Sequence, residues 1–188
     1  MDFEKDIEQC LTVLKAGGLI LYPTDTVWGI GCDATNADAV ERVYLLKNKA
    51  DKNTMVVLVA DERDVLQYVA SPDLALFDYL EEVGKPTTVI YEGAIGLAEN
   101  LVHENGSIAI RICNELFCKH LIRRFRKPIV SASVNFSGEE IPPTFSSLSD
   151  EIKAGVNYIV TYRQDESNMA GPLSVIKWNN GLPEVIRL

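Results

Sequence analysis

Apolar positions along this chain fall into two rhythms. Phe3, Ile7, Leu11 and Leu14 recur every three or four residues, which predicts an amphipathic helix over residues 2–16 stopped at Gly17-Gly18. The same spacing predicts a helix from Asn36, as its cap, to about Leu46, with Ala39, Val40 and Val43 facing inward. Three more follow: one opened by Asp61 around Val65, Leu66 and Val69, one after Pro72 using Leu74, Phe77 and Leu80, and one capped by Asn114 over Leu116, Phe117, Leu121 and Ile122. Between them lie short apolar runs that read as strands: Leu19–Tyr22 ended by Pro23, Met55–Ala60, Thr87–Tyr91, Ser107–Ile112 and Pro128–Ala132. Near the end, Ser174–Trp178 and Glu184–Leu188 flank Asn179-Asn180-Gly181, a hairpin signal. The alternation predicts one α/β domain over residues 1–188, its twisted sheet mostly parallel or mixed and flanked by helices.

Composition agrees with a folded core: 47% of the 188 residues are hydrophobic and 24% charged, which excludes a disordered or fibrous chain. No apolar run approaches the roughly 18 residues a membrane span needs. The opening MDFEKDIEQC is acidic where a secretory leader is basic, so a soluble, untargeted, cytoplasmic protein is expected, with no membrane partner. Lys and Arg total 18 against 27 Asp and Glu, a net charge of −9, which disfavours general nucleic-acid binding. Cys10, Cys32, Cys113 and Cys118 form no C-x-x-C pair, and His103 and His120 are the only histidines, so no side-chain metal site is expected and the thiols read as buried and free.

Three segments carry candidate chemistry. Tyr22-Pro-Thr-Asp-Thr-Val-Trp-Gly-Ile-Gly31 delivers hydroxyls and a carboxylate from the end of a buried strand, where open α/β sheets bind ligands, and its glycines would let backbone approach a ligand. A strand-to-turn connection with local Thr and Asp turns accounts for the same pattern. Lys47-Asn48-Lys49 ends a helix, where two cations also suit a solvated cap. Ser131-Ala-Ser-Val-Asn-Phe-Ser-Gly138 runs from a strand into small polar residues, as an ordinary loop also would. A P-loop is excluded at Gly84-Lys85, because Tyr79 and Pro86 stand where Gly and Ser/Thr are needed.

Taken together, these three segments closely resemble the YrdC-like threonylcarbamoyl-AMP synthase family, in its short single-domain form. The resemblance runs from Gly17-Gly18-Leu19-Ile20 to Ile186-Arg187, and the long Y-P-T-D-T-x-W-G-x-G run is its most specific part. It implies synthesis of threonylcarbamoyl-adenylate and pyrophosphate from L-threonine, bicarbonate or CO2, and ATP, with Mg²⁺ accompanying ATP. The product would serve threonylcarbamoyl modification of adenosine 37 in tRNA through downstream proteins. By the same resemblance Lys47, Lys49, Ser133 and Asn135 form the catalytic and nucleotide-binding tetrad. Thr24, Arg111, Ser131 and Ser174 would contact L-threonine, and Ser107 and Arg187 the nucleotide. The chain departs from the family where K-x-R reads Lys47-Asn48-Lys49, where P-G-P-x-T reads Gly84-Lys85-Pro86-Thr87-Thr88, and where T-S-A-N reads Ala132-Ser133-Val134-Asn135. Lys lacks the planar two-pronged contact of Arg. A YciO-like paralogue acting mainly as a double-stranded RNA or tRNA-binding module is the second expectation, resting on Lys119, Arg123, Arg124, Arg126 and Lys127.

Overall fold

The computed structural model describes residues 3–48, 55–135, 140–166 and 174–187. Helix α1 (Glu4–Lys15) turns its buried Ile7, Cys10, Leu11 and Leu14 inward, as the periodicity predicts. It stops where Gly17 takes φ +73° and the Gly18 N–H returns to the Val13 carbonyl, 2.9 Å away. The chain then forms a hairpin of β1 (Ile20–Pro23) and β2 (Trp28–Gly31) before α2 (Ala37–Leu46). Asn36 caps α2 by accepting from the Ala39 N–H at 3.1 Å. Next come β3 (Met55–Val59), α3 (Glu62–Tyr68), α4 (Ala75–Val83), β4 (Thr87–Tyr91), β5 (Ile108–Ile112), α5 (Leu116–Phe125) and β6 (Ile129–Ser133). The last third holds α6 (Asp150–Gly155), a two-residue β7 (Tyr158–Ile159), β8 (Ser174–Asn179) and β9 (Leu182–Arg187).

Among the described residues these nine strands join one sheet in the order β7-β1-β2-β6-β3-β5-β4-β8-β9. It is mixed and not mostly parallel: β1–β7, β3–β5 and β4–β8 run parallel, while the other five pairings are antiparallel. The terminal hairpin is tighter than its sequence implied. Asn180 (φ 52°) and Gly181 (φ 78°) alone make the turn, so the strands extend to Asn179 and Leu182. Helix α5 is capped one residue later than expected, by the Glu115 carboxylate accepting from the Cys118 N–H at 2.8 Å.

Register divides the sheet into two unlike faces. Leu21, Ile30, Val130, Val57, Ile110, Val89 and Ile176 share one face and are all buried. Helices α1, α3 and α5 pack against the sheet, and Phe3 meets Phe117 edge-on at 5.7 Å. The opposite face carries Ser131, Ser133, Val56, Ala109, Ile90, Val175 and Lys177, each only half-buried. That half-open face holds a cleft of about 350 Å³ lined by Val56, Thr88, Ser107, Ala109 and Lys177 among others. No helix among the described residues is long and apolar enough to cross a membrane.

Candidate active site

Two polar junctions sit at the half-open face. The first joins the end of α2 to the end of β6. Lys47, the C-terminal cap of α2, is buried and donates from Nζ to the Ser133 carbonyl at 2.9 Å and the Ser133 hydroxyl at 3.2 Å. Asn135 follows two residues further on, half-buried. A lysine this buried requires close acceptors, because an unpaired buried cation costs several kcal/mol. Residues 86 positions apart in sequence are thereby brought together.

The second junction is built on the turn between β1 and β2. The Thr24 hydroxyl donates to the Val27 carbonyl at 2.6 Å and accepts from the Thr26 and Val27 N–H groups, closing a side-chain turn. That turn fixes Asp25, whose Oδ1 lies 3.2 Å from the Arg111 guanidinium; both side chains are buried, at 8% and 3% exposure. Arg111 also donates to the Thr26 hydroxyl at 3.4 Å, and the Asn114 N–H donates to Asp25 Oδ2 at 3.3 Å. The turn is braced from outside by Arg163, which donates to the Thr24 carbonyl at 3.3 Å and pairs with Glu115 and Glu166. Burial lowers the Arg163 pKa, but the Glu166 hydrogen bond and the two carboxylate charges outweigh it and hold the guanidinium above its usual value.

The glycines of the motif serve packing. A methyl group on Gly31 would stand 2.5 Å from Tyr22 Cε1, and one on Gly29 would stand 2.8 Å from Ser131 Oγ. They make room for a buried tyrosine, whose hydroxyl donates to the Val130 carbonyl at 3.0 Å, and for a serine on the half-open face. Cysteine chemistry is disfavoured here. Cys118 donates to the Pro23 carbonyl at 3.2 Å, and burial, reinforced by neighbouring Cys113, pushes its pKa well above the ordinary value.

Of the residues expected at the site, Lys47, Ser133, Ser131, Thr24, Arg111 and Ser107 meet on or beside this face. Ser107 lines the cleft with its hydroxyl donating to Asn105 Oδ1 at 2.7 Å. Ser174 is not among them: it pairs with Thr87, which turns it to the face opposite Arg111 and Thr88. Lys49 lies outside the described residues. Arg187 closes β9 opposite Val175, and its side chain also lies outside them. Asp25, Thr26 and Thr88 were not singled out from sequence; Asp25 and Thr26 sit inside the Y-P-T-D-T run, and Thr88 survives from P-G-P-x-T. Among the described residues no cluster of three or more His, Cys, Asp or Glu is arranged to hold a metal.

The basic helix presents a different picture. Arg123 pairs with Asp61 at 3.7 Å, Lys127 with Asp33 at 2.6 Å, and Arg124 with Glu4. These three cations meet carboxylates of the chain itself, which weakens them as a phosphate-binding stripe and disfavours the RNA-binding alternative. Lys119 and Arg123 border a separate cavity of about 660 Å³ at the ends of β3 and β5, whose rim also carries Asp61, Glu62 and Glu81.

Comparison with known proteins places this architecture. A family model described as telomere recombination, for Sua5, YciO and YrdC proteins, matches residues 12–188, and the chain belongs to that family. Threonylcarbamoyl-AMP synthase of Stenotrophomonas maltophilia is 31% identical over 162 residues, covering 81% of this chain and 87% of the relative. The enzyme of the same name from Pseudoalteromonas translucida is 28% identical over 163 residues, covering 85% and 87%. In structure the chain is similar to P. abyssi Sua5 complexed with L-threonine, with TM-score 0.84 at 19% identity, covering 98% of this chain and 54% of that one. Escherichia coli YciO superposes with TM-score 0.79 at 22% identity, covering 97% and 88%. The chain thus spans about half the length of the Sua5 structure and most of YciO.

Proposed function

We propose that the protein is an L-threonylcarbamoyladenylate synthase, forming threonylcarbamoyl-AMP and pyrophosphate from L-threonine, bicarbonate or CO2, and ATP. The observation that carries this reading is the convergence of a buried lysine held by Ser133 and a buried arginine held by Asp25 on one half-open sheet face. It is supported by relatives of that name matching most of the chain. Arg111 takes the threonine carboxylate, with Thr24 and Ser131 lining the amino-acid end. Lys47, Ser133 and Asn135, with Lys49, take the phosphates, and Ser107 borders the nucleotide cleft. Mg²⁺ enters with ATP as part of the substrate.

In the transfer step an oxygen of the carbamoylated threonine attacks the α-phosphorus. The bond from that phosphorus to the bridging oxygen breaks, and pyrophosphate leaves with the electron pair. Positioning and charge neutralisation supply most of the catalysis in such a displacement, which is what buried, pre-set cations provide. The adenylate product suits delivery to a tRNA-modifying partner. Pyrophosphate release from ATP, Mg²⁺ and bicarbonate, measured with and without L-threonine, tests the reading. Threonine-dependent release in the wild type, reduced about a hundredfold or more in Lys47→Ala, is expected. ATP binding without threonine-dependent release would instead point to a YciO-type activity on another substrate.

A further inference from the structure

The cavity of about 660 Å³ lies at the carboxyl ends of the parallel strands β3 and β5, between α4 and α5. Ile112 and Thr87 line it, and each stands one position along its strand from Arg111 and Thr88. Alternation therefore opens this cavity on the helix-covered face of the sheet and the proposed active site on the other. Its volume is that of a small-molecule pocket, and the crevice at strand carboxyl ends is where open α/β sheets take ligands. Phe77 and Leu80 from α4 and Ile112 from β5 give it an apolar wall, and all three are only half-buried. The charges around that wall are not equivalent. Asp61 is already engaged: it accepts from the Arg63 N–H at 3.1 Å as the cap of α3 and pairs with Arg123 at 3.7 Å. Glu62, Glu81, Arg63 and Lys85 are exposed, where water answers them. Lys119 differs from all of these. It is half-buried, its backbone N–H donates within α5 to the Glu115 carbonyl at 3.0 Å, and its ammonium meets no carboxylate among the described residues.

We propose that this cavity binds a small amphipathic anion, a carboxylate or a phosphate monoester whose head pairs with Lys119 and Arg123 and whose apolar body covers Phe77, Leu80 and Ile112. Charge selects the sign. The half-buried group left unanswered is a cation, so an anionic head completes it, whereas a cationic ligand would set a second positive charge beside it. Arg123 stands one helical turn from Lys119 on the same side of α5, and its long, exposed pair with Asp61 leaves it free to turn to the head as well. The wall selects the rest of the ligand. An inorganic ion would leave Phe77, Leu80 and Ile112 facing water, and an uncharged apolar molecule would leave Lys119 as it is. Neither Lys47, Ser133 nor Arg111 lines this cavity, so the site stands whether or not the synthase reading does.

Calorimetric titration of the full chain with four probes tests this: 1-naphthyl phosphate, 1-naphthoate, the uncharged 1-naphthylmethanol and inorganic phosphate. The wild type is expected to bind at least one naphthyl anion at a single site, about tenfold or more tighter than either the alcohol or inorganic phosphate. The tighter of the two anions identifies the head group, and either one supports the site. Lys119→Met keeps the length of the side chain and removes its charge. It is expected to weaken the anion about tenfold and leave the alcohol unchanged, while Lys119→Arg keeps the anion bound. Leu80→Gln, which acts on the wall, is expected to weaken anion and alcohol alike. Lys47→Ala, on the other face of the sheet, is expected to change neither. Equal affinity for alcohol and anion in the wild type overturns the proposal, as does the absence of binding by both anions. So does anion binding that survives Lys119→Met and is lost in Lys47→Ala, which would place the probe in the active-site cleft.

Discussion

Asp6 and Asp25 both bury their carboxylates, and the protein treats them in opposite ways. Asp6, on α1, accepts four hydrogen bonds: from the Tyr158 hydroxyl at 2.6 Å, the Thr161 N–H and hydroxyl at 3.0 and 2.9 Å, and the Tyr162 N–H at 3.0 Å. Both its oxygens are occupied, and what they hold is the backbone just past β7, so the first helix and a late strand are tied together. Asp25 accepts one backbone hydrogen bond and faces an arginine with lone-pair capacity to spare. A saturated buried carboxylate acts as a structural bolt, whereas an unsaturated one keeps capacity for something that arrives later.

Raising the pH strains the contrast most. Burial, with its hydrogen bond to Asp6 and the Asp6 charge, pushes the Tyr158 phenol above its ordinary value of 10.0. Burial likewise pushes the Cys10, Cys32 and Cys118 thiols above 9.0. These groups stay protonated in the native state after the unfolded chain has lost its protons. Their contribution is therefore complete below pH 9 and is lost as pH rises, by about 1.4 kcal/mol per pH unit for each buried thiol. Equilibrium urea unfolding from pH 7 to 11 is expected to show a flat region and then a steep fall beginning near pH 9. A flat profile through pH 10.5 would contradict the burial of these groups.

Next in size is Asp6→Asn, expected to cost about 3 kcal/mol, because the amide can accept at one atom only and leaves at least one buried donor facing another. For a chain of this length the melting temperature should drop by roughly 6–12 °C. Gly31→Ala, which drives a methyl into Tyr22, is expected to cost about 1–3 kcal/mol by denaturant titration. Asp25→Asn should cost less than Asp6→Asn, about 1–2 kcal/mol, because fewer buried donors lose their acceptor. Equal melting temperatures for the two aspartate variants would erase the distinction between the saturated and the unsaturated carboxylate. Smallest is Arg124→Ala, whose exposed pair with Glu4 should contribute under about 0.5 kcal/mol and vanish in 1 M salt.

Much of this was legible in the chain. Helix α1, its glycine stop, the Asn36 cap, the strands β1, β3, β4, β5 and β6, and the terminal hairpin follow from periodicity and turn chemistry, because each is decided locally. Strand β2 was missed because Trp28-Gly-Ile-Gly reads as a turn; its glycines are explained only by Tyr22 and Ser131, which lie on neighbouring strands. Segments α6 and β7 were missed because two residues of strand carry no period, and β7 exists through the Asn157 and Tyr158 N–H groups reaching the Leu19 carbonyl. At the site, the motifs marked Lys47, Ser133, Thr24 and Arg111. Asp25 went unassigned although it stands in the most specific motif, since its importance lies in a partner on a strand far along the chain. Ser174, expected at the amino-acid site, pairs with Thr87 and so faces away from Arg111 and Thr88, because one position of register moves a side chain to the other face of a sheet.

The strand order has a consequence for how the protein is made. Strand β6 is synthesised late, yet it lies in the interior of the sheet, bonded to β2 on one side and β3 on the other. Until Ile129–Ser133 leaves the ribosome, the β1–β2 hairpin and the β3–β5–β4 ladder are two unconnected pieces with open edges. A nascent chain of that length exposes the apolar faces of both, and it closes them only by non-local pairing, the slow and aggregation-prone kind. The strand that supplies Ser131 and Ser133 is thus also the keystone of assembly: it joins the two pieces, and β7, β8 and β9 then add at the outer edges of the sheet.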